Sequence, residues 1–230
     1  FVITQAMFVI GIARTSASNS ALIQATTPIA VALISYRLGS ETLPRRGWIG
    51  VLLSLAGVAM VICGSSQKLV LSADDLQGNL LVTGSAIGWA VYIVMARSLV
   101  RRIPATAVAG CSVLVGATGL LIVAAPSLRA QDWSAITPAG WIGLVYTGGV
   151  SVGLANLIWA KGIERLGGTR TSIYGNLTPV VGVLGAAAFL YERLTPWQIV
   201  GGFAVLTGIF LAQGRTERTP LAPVSDELRP

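Results

Sequence analysis

The chain contains no histidine, only two cysteines, and charged side chains at just 11% of its positions. Without an imidazole, serine triads, zincin sites and most zinc hydrolase sites are excluded, because each needs a His base or ligand. Two cysteines cannot build a disulfide framework. Soluble domains carry about 25% charged residues, so the shortage of charge argues against a water-soluble globule. Disorder of the whole chain fails for a different reason: 53% of the 230 residues are hydrophobic, enough apolar surface to drive burial. The mean hydropathy is +0.74.

What charge there is lies in clusters. Uncharged stretches run 15–36, 47–67, 76–96, 103–128, 133–160, 171–191 and 194–214, each at least 21 residues long. A bilayer-spanning helix needs about 20 mostly apolar residues, so seven complete transmembrane helices are expected. Residues 1–13 are apolar but too short to span. They read as the tail of an eighth helix, not a signal peptide, since no basic segment precedes them.

The net charge of +7 does not indicate nucleic acid, because no basic, aromatic-interleaved patch or nucleic-acid motif is present. The bases mark topology instead. Loops 37–46, 97–102 and 161–170 and the tail each hold three. The alternating loops hold one each: Arg14, Lys68, Arg129 and Arg193. Excess Lys and Arg marks the cytoplasmic side, which predicts a cytoplasmic C-terminus. Trp48, Trp133, Trp141 and Trp197 fall near span ends, where interfacial anchors are expected.

Shifting the chain against itself by 151 residues reveals a repeat. Gly11 meets Gly162, Arg14 meets Arg165, Thr27-Pro28 meets Thr178-Pro179, and Glu41 meets Glu192. Gly50 and Gly57 meet Gly201 and Gly208. Composition bias matches Leu or Ala by chance, but not Thr-Pro and Glu at one ungapped offset. The topology puts Glu41 inside and Glu192 outside, so the copies are inverted and the repeat holds an odd number of helices, five. Inverted repeats recur in secondary transporters, with the substrate near the midplane between the halves. Two repeats make ten helices.

The segments 11–64 and 162–214 both resemble the last part of an EamA domain. The shared pattern is a small, Thr/Ser-rich helix start, a Pro within the helix (Pro28, Pro179), a Glu after it (Glu41, Glu192) and a helix with Gly seven apart. EamA domains belong to the drug/metabolite transporter superfamily. The resemblance implies ten helices, an inverted repeat, and export or exchange of small metabolites such as amino acids. Residues 1–67 would be the end of the first repeat, 76–214 the complete second repeat, and 215–230 a disordered cytoplasmic tail. The missing first helices imply a longer natural protein.

Polar groups inside spans are the candidate substrate ligands, since an amide facing lipid is costly. They are Asn19, Gln24, Trp89, Tyr92, Asn156, Trp159, Tyr174 and Asn176, with Trp and Tyr supplying apolar or cation–π walls. For any one of them, interhelical hydrogen bonding is at least as good a reading. Pro28 and Pro179 each remove a helix hydrogen bond. As a repeat-related pair they read as hinges, whereas either alone is ordinary transmembrane proline. Glu41 and Glu192 read as loop-end salt bridges or caps in preference to a gate or a proton-coupling acid, since neither lies deep in a span. Gly84-x-x-x-Gly88 and Gly149-x-x-x-Gly153 read as close helix contacts, and Cys63 and Cys111 as free, buried thiols.

Several chemistries are disfavoured. No carboxylate lies deep in a span, which counts against an exporter working through one intramembrane Glu. No Lys or Arg does either, which counts against a sugar-nucleotide or phosphate-ester antiporter. Asp74-Asp75 reads as a helix-start cap, and no acidic cluster for Mg²⁺ accompanies it. The expectation is an all-α, inverted-repeat membrane transporter, not an enzyme, with no cofactor and no metal. Its partners are a small-molecule substrate and the lipid bilayer. Nothing in the sequence fixes an oligomeric state. The alternatives are a membrane sensor or structural protein that transports nothing, or a sugar-nucleotide or phosphate-ester antiporter of the same superfamily.

Overall fold

The computed structural model describes residues 2–64, 76–131, 133, 136–189 and 194–213. Lys68, Asp74, Asp75, Glu192, Arg193 and the tail 215–230 lie outside the described residues. All described regular structure is helical. In chain order it comprises α1 (Val2–Ile12), α2 (Ala17–Ala25), α3 (Thr27–Arg37), α4 (Arg45–Cys63), α5 (Leu76–Leu99) and α6 (Ala105–Ala130). Then come α7 (Pro138–Tyr146), a π-helical segment (Thr147–Leu154), α8 (Ala155–Leu166), α9 (Gly168–Tyr174), α10 (Leu177–Phe189) and α11 (Pro196–Ala212).

Among the described residues, six helical rods are long and apolar enough to cross a membrane: Ala17–Arg37, Arg45–Cys63, Leu76–Leu99, Ala105–Pro126, Pro138–Leu166 and Gly168–Phe189. The seventh expected span, 194–214, is shorter than its uncharged stretch. Thr195 and Gln198 form a capping box, with the Gln198 amide on the Thr195 hydroxyl and the Gln198 side chain accepting from the Thr195 N–H. That starts α11 at Pro196 and leaves 17 residues, ~26 Å of helix. The uncharged run had counted residues that the cap takes out of the helix.

Three of the rods are not uniform. α2 and α3 meet at Thr26, whose N–H and hydroxyl both donate to the Ile23 carbonyl, at 3.0 and 2.6 Å. Pro28 supplies no donor to the turn before it. α9 and α10 meet at Gly175-Asn176, where the N–H groups of Gly175, Asn176 and Thr178 bond three residues back, at 3.0–3.1 Å. Both breaks thus sit just before the paired prolines. α7 and α8 are joined by a π-helical stretch containing Gly148, Gly149 and Gly153.

α4 and α11 form the most extensive helix pair. Their glycines bring backbone against backbone. A Cβ at Gly57 would lie 2.6 Å from the Gly201 carbonyl oxygen, and one at Gly201 would lie 2.6 Å from the Gly57 carbonyl oxygen. The contacts are reciprocal under the 151-residue shift: Gly50 against Ala212 maps onto Val61 against Gly201, and Gly57 against Val205 onto Ser54 against Gly208. α1 packs on α5 through the other glycine pair, with Gly84 over Met7 and Gly88 over Thr4. Gly149 has no such neighbour among the described residues.

Two cores result. One joins Val31 of α3, Ala90 and Ile93 of α5, Val108 of α6 and Ile163 of α8. The other joins Ala25 of α2, Val51 and Val58 of α4, Ile173 of α9 and Val205 of α11. Elsewhere the helices present large apolar side chains outward, such as Leu121, Ile142, Phe203 and Phe210, as a lipid-facing surface does. Trp133, Trp141 and Trp197 are exposed and Trp48 is half-buried. Cys63 and Cys111 are free but exposed, not buried. Each sits on the outer side of its helix, where an apolar thiol needs no protein cover.

One carboxylate joins both halves of the chain. α3 ends in a Schellman turn, with Gly39 at φ 62°, its N–H on the Tyr36 carbonyl and the Ser40 N–H on the Ser35 carbonyl. This turn delivers Glu41 to α9. Its Oε1 accepts from the Gly168 N–H at 2.8 Å and its Oε2 from the Thr169 N–H at 3.0 Å, while Arg97 of α5 pairs with it. Gly167, between α8 and α9, has φ 88° and ψ 165°. That region is essentially closed to other residues, at about 1–3 kcal/mol. A Cβ there would also press on Glu41 Oε1 at 2.5 Å. Gly167→Ala is therefore expected to lower the melting temperature by about 3–10 °C, measured by nano-scanning fluorimetry in detergent. An unchanged melting point would mean that the turn relaxes freely.

Candidate functional site

A cavity of about 330 Å³ lies where the two helix breaks face each other. Four pairs of its lining residues are separated by 151 positions: Ala21 and Ser172, Gln24 and Gly175, Ala25 and Asn176, Thr27 and Thr178. The two halves therefore contribute corresponding turns. Trp89 of α5 and Trp159 of α8 close one side, their ring centroids 6.2 Å apart and tilted by 46°. Phe8 and Ile12 of α1 extend the wall. Among the described residues, no lining residue is charged.

Within this wall, hydrogen-bonding capacity is left over. The Ser20 hydroxyl is buried and has no partner among the described residues. The same holds for the Trp159 indole N–H. An unsatisfied buried group costs about 1–3 kcal/mol, a cost that an acceptor on a bound molecule removes. Asn176 is anchored differently: its side-chain N–H donates to Ser54 Oγ at 2.9 Å, and Ser54 in turn donates to the Val51 carbonyl. This ties the second break to α4. Gln24 accepts from the Thr27 hydroxyl at 3.3 Å. Helix ends of both signs also meet here: the C-terminus of α2 and the N-termini of α3 and α10.

The structure divides the sequence candidates. Gln24, Trp89, Trp159, Asn176 and Pro179 line the cavity. Pro28 is buried beside it but does not line it. The other four polar candidates are engaged elsewhere. Asn19 donates to Thr15 Oγ1 at 3.4 Å, which in turn donates to Asn79 of α5 at 2.7 Å. Tyr92 stacks on Trp89 at 4.9 Å and donates to Ser112 of α6 at 3.2 Å, and both line a second cavity between α5 and α6. Asn156 donates to the Val152 carbonyl of its own helix at 2.8 Å. The Tyr174 hydroxyl accepts from Gln213.

Ser20 and Ser172 were not among the candidates. A signal for them existed. Ala17, Ser20, Ala21 and Gln24 follow the i, i+3, i+4, i+7 spacing of one helix face. So do Ser172, Gly175, Asn176 and Pro179, all eight lining the cavity.

Residues 1–63 and 76–213 match the model of the EamA-like transporter family. The chain belongs to this family. It is 25% identical over 209 residues to the uncharacterized transporter YyaM of Bacillus subtilis, covering 91% of this chain and 68% of that protein. A probable amino-acid metabolite efflux pump of Salmonella typhimurium is 26% identical over 181 residues, 75% of this chain and 59% of the pump. The chain thus spans about two thirds of the length of the first relatives it matches, and less of others. A solved crystal structure superimposes with a TM-score of 0.78 at 20% identity, over 91% of this chain and 71% of that one, and shares the fold. With its apolar rods, this EamA-like chain is a multi-pass membrane protein.

Proposed function

We propose that this EamA-like protein exports or exchanges small metabolites of amino-acid type, by alternating access of two inverted five-helix repeats around the cavity at the helix breaks. The observation that carries this reading is the lining of that cavity by residue pairs 151 positions apart, as expected of a site between two inverted copies. The uncharged wall suits a molecule without net charge. The free indole N–H of Trp159 suits a carboxylate or carbonyl oxygen, the aromatic faces suit an ammonium group or a flat side chain, and helix ends of both signs suit a zwitterion. The Salmonella relative, a probable amino-acid metabolite efflux pump, agrees with this class. A phosphate ester or sugar nucleotide fits poorly, for want of a lining Lys or Arg. The C-terminus is assigned to the cytoplasm, with Glu41, Arg97 and Gly168 at that same membrane face. This orientation rests on the charge count and on the gathering of three base-rich loops around Glu41.

The test is counterflow of labelled neutral amino acids in proteoliposomes of the full-length protein, with and without a pH gradient. Saturable flux is expected. Trp159→Phe keeps the ring and loses the N–H, so KM should rise about 5–100-fold, the worth of one buried hydrogen bond. Absence of flux for every neutral amino acid would sink the substrate class. Flux with an unchanged KM in Trp159→Phe would move the site elsewhere.

A further inference from the structure

Resting on the alternating-access reading, the position of Glu41 carries a second assignment. Three elements converge on this carboxylate: the α3–α4 connection that bears it, the last turn of α5 through Arg97, and the first turn of α9 through Gly168 and Thr169. The first belongs to the first half of the chain and the others to the second. The Glu41 side chain is only 8% exposed. The local backbone is built for the contact. The Schellman turn at Gly39 aims Glu41, and Gly167 leaves the space that a Cβ would fill. These devices are more than a surface ion pair needs.

The contact also has a fixed relation to the cavity. Along α9 the nearest lining residue, Ser172, lies three residues, ~5 Å, from Thr169, and along α3 Thr27 lies ten residues, ~15 Å, from the helix end that precedes Glu41. The remaining lining residues, Phe8, Ile12 and Ala17, lie at the opposite end of the bundle. Between the cavity and Glu41 the side chains of Val31, Ile93 and Thr169 are buried. The cavity is therefore closed toward the Glu41 end.

We propose that Glu41 is the latch of an inner gate: its release from Arg97 and from the start of α9 opens the cavity to the Glu41 face of the membrane. Its two carboxylate oxygens hold two backbone N–H groups and one guanidinium, and all three contacts must break together for α5 and α9, both of the second half, to move away from the α3–α4 connection.

The experiment is side-specific thiol labelling, which needs no substrate. In full-length protein with Cys63→Ser and Cys111→Ser, Ser172→Cys places one thiol at the cavity wall. An impermeant maleimide is applied to right-side-out and to inverted vesicles. With Glu41 intact, labelling from the Glu41 face is expected to be slow. Glu41→Ala should speed it about tenfold or more, the effect expected when charge-assisted hydrogen bonds are lost. Glu41→Gln keeps an acceptor oxygen but loses the ion pair, and should fall between. A disulfide between Glu41→Cys and Thr169→Cys should stop flux until it is reduced. Unchanged labelling in a monodisperse Glu41→Ala protein overturns the latch. If Glu41→Ala fails to fold, unchanged labelling in Glu41→Gln does so. Faster labelling in a protein that moves no amino acid would keep the latch and discard the proposed substrate.

Discussion

Gly57→Leu is expected to abolish recovery of folded, monodisperse protein. The α4–α11 interface leaves no room for a side chain at this position. A single Cβ would lie 2.6 Å from the Gly201 carbonyl oxygen and 2.7 Å from the Val205 amide nitrogen. Both are backbone atoms, so no rotamer change relieves the clash, and the helices must separate. Overpacking a core costs about 1–3 kcal/mol when side chains can shift, and here they cannot. Inside a bilayer the hydrophobic effect does not hold helices together. Close backbone approach and dispersion do, and a separated pair forfeits both along its length. The separation would also move Ser54, whose hydroxyl receives the Asn176 N–H, so the damage reaches the cavity. Because the contacts are reciprocal, Gly201→Leu should be as harmful as Gly57→Leu. Gly110→Leu is the control, since nothing lies within 4 Å of a Cβ there. Size-exclusion profiles of fluorescently tagged protein in mild detergent decide the matter. A normal peak for Gly57→Leu would mean that α4 and α11 do not pack through their glycines.

Much of this architecture was legible in the sequence, and the physical reason is simple. Bilayer crossing needs long uncharged stretches, and those can be counted. Gly50, Gly57 and Pro28 recur 151 positions later as Gly201, Gly208 and Pro179, and at the glycines the close backbone contact needs a bare Cα in both places. Helix ends were harder to place. The uncharged run 194–214 contains a capping box that removes residues from its helix. Neither did the glycine spacings announce which pairs would touch. Gly84 and Gly88 receive α1, whereas Gly149 faces open space among the described residues.

The cavity was legible only in part, because polarity inside a span has two uses. Gln24, Trp89, Trp159 and Asn176 line it. Asn156 has the same chemistry as Asn176, yet spends its N–H on its own helix. Residue type does not separate these cases, but position on the helix face does. The lining residues of α2 and of α9–α10 fall on matching faces, and the repeat offset maps one face onto the other. Small residues such as Ala21 and Ser20 are silent to a search for chemistry, although a cavity at a helix break requires small residues to exist at all.

That same smallness makes Ala21 the position where function and stability separate most cleanly. Ala21 and Ser172 occupy corresponding positions in the two halves and both line the cavity. Ala21→Phe puts a benzyl group into a space of about 330 Å³, near the lower end of volumes that hold small ligands, about 300–1,000 Å³. The added ring joins an aromatic wall that already contains Trp89 and Trp159, so its burial is favourable and the fold should tolerate it. The melting temperature is expected to stay within about 2 °C of the parent, a change below about 1 kcal/mol. Flux of neutral amino acids should nevertheless fall at least about a hundredfold, because the occupied volume is the volume a substrate needs. Ala21→Ser repeats the hydroxyl of its counterpart Ser172 and should transport nearly as the parent does. The comparison discriminates between occlusion and damage: loss of flux with an intact melting curve in Ala21→Phe means that the ring displaces substrate. A parallel fall in both would make Ala21 a packing residue, and undiminished flux would place the path outside this cavity.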